Sequence, residues 1–261
     1  MNLILNVQPN KMNKNSYCVI MAGGLGKRFW PVSTKACPKQ FCDILNVGKS
    51  FLRQTFERAN QIFDTRNIFI VTGSAYEELT KQQIPEIPTE NILKEPFGKN
   101  TAPCVAYAAY RIARINPHAS MVVVPSDHFI TNDVVYLDNI QKGISFVEQS
   151  GGLLTIGIKP TRPETGYGYI QIKKNKFSEF ISKVKTFTEK PNKELAKVFL
   201  ESGDFLWNAG IFIWNVEDII EEFRVGNYDS FDEFYHQTNK QLYVFIYDII
   251  RNRQSSEDLL Q

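Results

Sequence analysis

Three places in this sequence hold residues whose types and spacing could do phosphate chemistry. The first is Ala22-Gly23-Gly24-Leu25-Gly26-Lys27-Arg28, directly after the apolar run Tyr17–Ala22. Glycines after a strand let the backbone approach a phosphate with its N–H groups inward. Arg28 adds a planar fork suited to phosphate oxygens. The loop is not a dinucleotide fingerprint, because Phe29 stands where the last glycine is needed. It is not a Walker loop either, because Arg28 follows Gly26-Lys27 where Ser or Thr is required and Met21 fills the first glycine slot. The second place is Pro38-Lys39-Gln40, which puts another cation within reach of the same loop. The third is Asp127, after the apolar run Met121–Val124 and therefore at a strand's carboxyl end. Ligands of open α/β sheets bind at that edge. A carboxylate there can hold Mg²⁺, a hard cation that shares its shell with phosphates, or it can cap a following helix.

Four further segments are less specific alone. In Glu95-Pro96-Phe97-Gly98-Lys99-Asn100-Thr101-Ala102-Pro103, Asn100 or Thr101 would cap a helix beginning near 101. Glu164–Ile170 (ETGYGYI) reads as a glycine turn entering a strand. Thr188–Pro191 (TEKP) reads as a strand end before a helix. Asn208–Phe212 (NAGIF) reads as a bulge or bend inside an apolar strand.

Taken in order, these motifs say more than any of them singly. The stretch GGLGKRFWPVSTKACPKQF resembles the signature of sugar-nucleotide pyrophosphorylases, and EPxxxNTAP, PSDH, TGYGYI, EKP and NAGIF follow as they do in that family. The pairs Trp30-Pro31 and Gln40-Phe41 make it most similar to the mannose-1-phosphate guanylyltransferase branch. The resemblance implies that Ala22, Gly23, Gly24 and Gly26 wrap a nucleotide, with Asn100 and Thr101 against it. It implies that Arg28 and Lys39 contact the nucleotide phosphates and that Asp127 is a Mg²⁺ ligand. It assigns Gly168, Glu189 and Asn208 to sugar hydroxyls and Lys190 to the sugar phosphate. Those residue types suit those tasks: a carboxylate and an amide discriminate hydroxyl stereochemistry, and an ammonium neutralises phosphate.

The implied reaction is attack by mannose 1-phosphate on the α-phosphorus of GTP, forming GDP-mannose and releasing pyrophosphate. It needs two anions held in line and their charge neutralised, with no protein nucleophile. No general base is expected, because the attacking oxygen is already ionised. Other outcomes stay open: a related enzyme with another base or sugar, a truncated GTP-binding chain with little activity, or a purely structural domain. The family supplies a second metal-binding Asp from a later segment, and no stretch after 224 matches it. A metal shell short by one carboxylate, and slow turnover, are therefore expected.

The elements that must position these residues are visible as patterns. Continuous apolar runs at Tyr17–Ala22, Asn67–Thr72, Met121–Val124 and Leu153–Ile158 predict buried parallel strands. Helical spacing predicts helices over Ser50–Phe63, Thr101–Ile115 and Val134–Gln149. This βαβ series predicts an α/β fold: a Rossmann-like, open, mainly parallel sheet flanked by helices. Tyr167–Ile172, Val184–Thr188 and Phe205–Trp214 predict a mixed or antiparallel extension, which would carry the sugar-binding motifs. The 261 residues divide into an N-terminal extension (1–16), one catalytic domain (17–224) and an irregular segment (225–261).

Composition sets the outer limits. A hydrophobic fraction of 43% with 22% charged residues excludes a disordered or fibrous chain. Thirty basic against 28 acidic residues give +2, without the clustered basic excess of a nucleic-acid footprint, so no nucleic-acid partner is expected. No apolar run approaches the ~20 residues of a membrane span, and the first sixteen residues lack the apolar centre of a secretory leader. A cytoplasmic protein without membrane contact is expected. Cys18, Cys37, Cys42 and Cys104 show no metal-ligand spacing and are expected as free thiols, Cys37 and Cys42 standing five apart. Oligomeric state stays open, a homodimer included.

Overall fold

The protein is described here from a computed structural model, which defines residues 11–24, 29–95, 101–176, 178, 180–225 and 242–247. In chain order its elements are β1 (Ser16–Met21), α1 (Phe51–Asn60), β2 (Ile68–Gly73), α2 (Glu77–Gln83), β3 (Ile92–Glu95), α3 (Thr101–Ala113), β4 (Ser120–Pro125), α4 (Asp133–Ser150), β5 (Leu153–Ile158), β6 (Tyr169–Lys176), β7 (Ile181–Thr188), α5 (Lys193–Ser202), β8 (Phe205–Asn215), α6 (Val216–Val225) and β9 (Leu242–Tyr247). The strands form one open sheet in the order β3-β2-β1-β4-β8-β5-β9-β7-β6.

The four strands β3, β2, β1 and β4 are mutually parallel, with Cys18 opposite both Ile68 and Val122. The residues of β1, β2 and β4 are buried on both faces, which is why these three read as unbroken apolar runs. Period-two alternation divides them between two cores. Cys18, Ile20, Val122 and Val124 face one core with α1 and α4, and Tyr17, Val19, Met121 and Val123 face the other with α3 and α6. The helices start where polar caps allow. Ser50 accepts from Arg53 N–H at 3.1 Å, Asn132 from Val135 N–H at 3.1 Å and Asn192 from Leu195 N–H at 2.9 Å.

The antiparallel part differs from a simple extension at the edge. β8 inserts between β4 and β5, antiparallel to both. Its sequence, FLWNAGIFIWN, is apolar on both faces, and such a strand leaves least apolar area in water at the centre of a sheet. The first part of β8 also pairs with β6, and β6 with β7, so the mixed region wraps back onto the central sheet. α4 lies close over β8 at Gly143, where a Cβ would stand 2.5 Å from Ile213 Cδ1.

A second difference concerns 225–261, expected to be irregular. Leu242–Tyr247 forms a strand, parallel to β5 and antiparallel to β7. Its six residues, LYVFIY, are a short apolar run inside a polar stretch, so composition averaged over the segment conceals it. β3, α2 and α6 were likewise not visible as patterns. β3 is only four residues long and carries two charges, and α6 follows β8 without an intervening turn. No helix among the described residues is long and apolar enough to cross a membrane.

Candidate active site

The motif residues that can be placed lie at the edge where β1, β2, β3, β4 and β5 end. The antiparallel β8 begins at the same edge, since Val123 faces Phe212 and Gly157 faces Asn208.

The glycine loop leaves β1 from a fixed point. Ala22 is buried, its N–H donates to Val71 O at 2.7 Å, and its carbonyl accepts from Gln40 Nε2 at 2.8 Å and from Thr72 Oγ1 at 3.0 Å. Gly23 and Gly24 then turn outward and are exposed. A Cβ on Gly23 would stand 3.2 Å from Glu95 Oε2, while one on Gly24 would meet nothing within 4 Å. Backbone can therefore be approached closely at Gly24, as a phosphate-binding turn requires. Glu95 is buried against this turn, and its burial pushes the carboxyl above the usual range. Gly26 and Arg28 lie outside the described residues, as does Asn100. Thr101 is the first helical residue of α3, so it does not itself cap the helix.

Lys39 sits in the short 3-10 turn Lys39–Phe41. Its side chain is 10% exposed, and its ammonium is 3.3 Å from Asp127 Oδ2, 4.3 Å from the Phe29 ring centroid and 5.3 Å from that of Phe51. Two aromatic faces and one carboxylate thus hold a nearly buried cation. Asp127 keeps 42% of its side chain exposed at the end of β4. Its position is set from behind: Ser126 N–H donates to Met21 O at 3.0 Å, and Thr55 Oγ1 donates to Ser126 O at 3.2 Å. Burial, with the positive Lys39 and Arg58 nearby, holds His128 below its ordinary value although Asp127 opposes this. His128 therefore stays neutral near pH 7 and adds no charge beside the pair.

The second group gathers Gly168, Glu189 and Asn208. A Cβ on Gly168 would stand 2.7 Å from Glu189 Oε2 and 3.5 Å from Asn208 Cβ, and Asn208 N–H donates to Gly168 O at 2.8 Å. The pairing of β5 with β8 shifts register between Thr155 and Gly157, so Asn208-Ala209-Gly210 bulges, as its sequence suggested. The bulge is closed by Gly210 N–H donating to Asn208 Oδ1 at 3.0 Å, with Thr155 Oγ1 3.1 Å from the same oxygen. With Oδ1 engaged, the NH₂ end of Asn208 is left to donate to a ligand. Gly210 takes φ +67°, and a Cβ there would stand 3.6 Å from Pro125 Cγ. The bulge therefore packs on the segment that carries Asp127. Lys190, at φ 43°, pairs with its neighbour Glu189 at 2.6 Å.

The sequence motifs did not expose several supports of this site. Gln40 and Thr72 share the Ala22 carbonyl. Glu164 accepts from the N–H groups of Thr165 and Gly166 at 3.0 Å each, pairs with Arg162 at 3.2 Å, and so fixes the turn into Gly168. The Gly166 N–H, with the Arg162 cation, holds its carboxyl below the usual range despite burial. The adjacency of Gln40 to Lys39 and of Glu164 to the glycine turn was the available signal.

The model of the nucleotidyl transferase family matches residues 17–248, most of the chain. The chain belongs to the nucleotidyl transferase family. Among relatives of this nucleotidyl transferase, the mannose-1-phosphate guanylyltransferase of Salmonella montevideo is 36% identical over 214 residues, covering 79% of the chain and 44% of that protein. The alginate biosynthesis protein AlgA of Pseudomonas putida is 34% identical over 218 residues, covering 82% of the chain and 44% of that protein. A solved structure described as mannose-1-phosphate geranyltransferase from Thermus thermophilus superposes with a TM-score of 0.76 at 25% identity, covering 89% of this chain and 74% of that one. The chain spans less than half the length of the curated relatives it matches.

Proposed function

We propose that this nucleotidyl transferase joins the nucleotide of GTP to mannose 1-phosphate, forming GDP-mannose and pyrophosphate. The observation that carries this reading is the Lys39–Asp127 pair at 3.3 Å, with the exposed glycines Gly23 and Gly24 on one side and the Gly168–Glu189–Asn208 group packed across Pro125 on the other. The chosen base and sugar follow the names of the relatives and the Trp30-Pro31 and Gln40-Phe41 pairs.

In this reading the glycine loop, with Asn100 and Thr101, holds the nucleotide. Arg28 and Lys39 neutralise its phosphates. Glu189, Asn208 and the Gly168 backbone orient the sugar, and Lys190 exchanges Glu189 for the sugar phosphate. The attacking phosphate oxygen is ionised, so the side chains bind and align and no proton is moved. Asp127 fits Mg²⁺: it offers a half-exposed hard oxygen donor, suited to a cation completed by phosphates and water. The described residues contain no group of three or more His, Cys, Asp or Glu that could enclose a metal alone. When bound, the metal would neutralise charge on the phosphates.

Pyrophosphate release over a panel of nucleoside triphosphates and sugar 1-phosphates, with Mg²⁺, tests this. GTP with mannose 1-phosphate is expected to give the highest kcat/KM. A higher value for another pair replaces the assignment, and GTP binding without release identifies a chain that binds but does not turn over.

The turn before Gly168 gives a sharper test of the sugar side. Glu164→Ala leaves two backbone N–H groups and Arg162 without their acceptor, at about 1–3 kcal/mol. KM for mannose 1-phosphate is expected to rise on the order of tenfold, with KM for GTP nearly unchanged. An equal rise in both would show that the turn does not serve the sugar.

A further inference from the structure

Cys37 and Cys42 bracket the segment that carries Lys39, and their sulfurs are 3.2 Å apart. The first is fixed by Thr34, whose Oγ1 accepts from Cys37 N–H at 3.1 Å and whose N–H donates to Cys37 O at 2.9 Å. The second is fixed by the turn itself, with Cys42 N–H donating to Lys39 O at 3.1 Å. Lys39 thus lies inside a loop that a single bond between the two sulfurs would close. Both are free thiols here.

We propose that Cys37 and Cys42 are a redox modification site, in which a hydroperoxide oxidises the pair to a disulfide that displaces Lys39 and lowers activity. The displacement rests on the reading of Lys39 above, whereas formation of the disulfide does not. In the first step the Cys37 sulfur attacks the peroxide, the O–O bond breaks, and a sulfenic acid and an alcohol or water result. In the second the Cys42 sulfur attacks the sulfenic sulfur, the S–O bond breaks, water leaves and the S–S bond forms. Two electrons pass from the sulfurs to the peroxide, and the thiol protons end on its oxygens. A dithiol reductant reverses the change by exchange.

The order of attack follows the surroundings. Cys37 is half-buried, whereas Cys42 is buried. Burial, with Cys37 beside it, pushes the Cys42 thiol up to about 11, which leaves Cys37 as the first nucleophile. The other two cysteines are built to stay silent: Cys18 is buried and pushed up to about 12, and burial raises Cys104 further.

A disulfide is about 2.05 Å long, so the sulfurs must close by roughly 1 Å. Oxidation also removes the Cys42 S–H, which has the carbonyls of Cys37, Pro38 and Val32 at 3.3, 3.4 and 3.6 Å. Both changes act on the turn whose lysine meets Asp127. A 1 Å misplacement near reacting groups costs on the order of a hundredfold.

The test oxidises the full chain with hydrogen peroxide, alkylates the remaining thiols and maps the peptides by mass. Two of the four cysteines are expected to resist alkylation, joined as Cys37–Cys42, with Cys18 and Cys104 alkylated after unfolding. kcat is expected to fall about tenfold or more and to return with dithiothreitol. Cys37→Ser and Cys42→Ser should each keep the basal rate and lose the response. Absence of the Cys37–Cys42 link, a link with kcat unchanged, or a Cys37→Ser variant that responds like the parent would each overturn the proposal. If no substrate pair releases pyrophosphate, the functional reading fails on its own, and the mass map still decides whether the site exists.

Discussion

Lys39→Met and Asp127→Asn are each expected to lower kcat/KM by about 10³-fold, and the double variant by little more than either. The two groups form one device. Lys39 is a nearly buried cation whose charge is balanced by Asp127 at 3.3 Å, while Asp127 remains 42% exposed toward the edge where phosphates would arrive. Removing a preorganised donor that meets developing charge costs about 10²–10³ in rate, and a full charge sits at the upper end. Methionine retains a flexible apolar stem for the gap between Phe29 and Phe51, so the loss should fall on rate and leave the fold intact. Asp127→Asn leaves Lys39 buried without its counter-charge, which misplaces the same ammonium that Lys39→Met deletes. That shared endpoint predicts the non-additivity. Steady-state pyrophosphate release of both single variants and the double, with melting curves as a folding control, checks it. Losses that multiply would show that the two groups act independently, and a Lys39→Met enzyme near the parental rate would show that the pair is an ordinary ion pair.

The meeting of Lys39 with Asp127 also shows what a sequence can and cannot convey. Both follow strands, β1 and β4, that are buried on both faces and therefore read as unbroken apolar runs. The strands β2 and β5, which run parallel to them, were visible for the same reason, and so was the edge at which Asp127 would stand. That β1 and β4 are direct neighbours, which brings two distant residues to 3.3 Å, follows from strand order, which no local pattern encodes. The insertion of β8 between β4 and β5 was hidden likewise, although its two-sided apolar character marked it as interior. Side-chain bonds to backbone, such as those of Gln40 and Thr72 to Ala22 O, have no periodicity and left no trace. β9 was masked by the polar residues around it. The motifs proposed for the sugar were legible as a set only because their order resembles that of a family; singly each was a turn, a strand end or a bulge, and Asn208 does stand in a bulge.

Gly168→Ala is expected to lower kcat/KM for mannose 1-phosphate by on the order of a hundredfold, with KM for GTP little changed. The added Cβ would stand 2.7 Å from Glu189 Oε2 and 2.8 Å from Phe187 Cζ, both closer than atoms tolerate. Phe187 is 3% exposed and packed in the core shared with α3 and α6, so it cannot move far. Glu189 is 42% exposed and sits at the end of its strand, so it is the side chain that yields. Its carboxylate then leaves the position beside Asn208 and Gly168, which is the geometry proposed to read the sugar hydroxyls. Overpacking against Phe187 adds about 1–3 kcal/mol of destabilisation, a moderate fall in Tm that a folded enzyme survives. The two consequences separate in one experiment: melting curves report the Phe187 contact, and the KM for each substrate reports the displacement of Glu189. Glu189→Gln should lose sugar affinity without the fall in Tm, because it keeps the shape and removes only the charge. If Gly168→Ala raised KM for GTP as much as for the sugar phosphate, the cluster would belong to the nucleotide. If it left both unchanged while lowering Tm, Gly168 would be a packing glycine and the sugar would be read elsewhere.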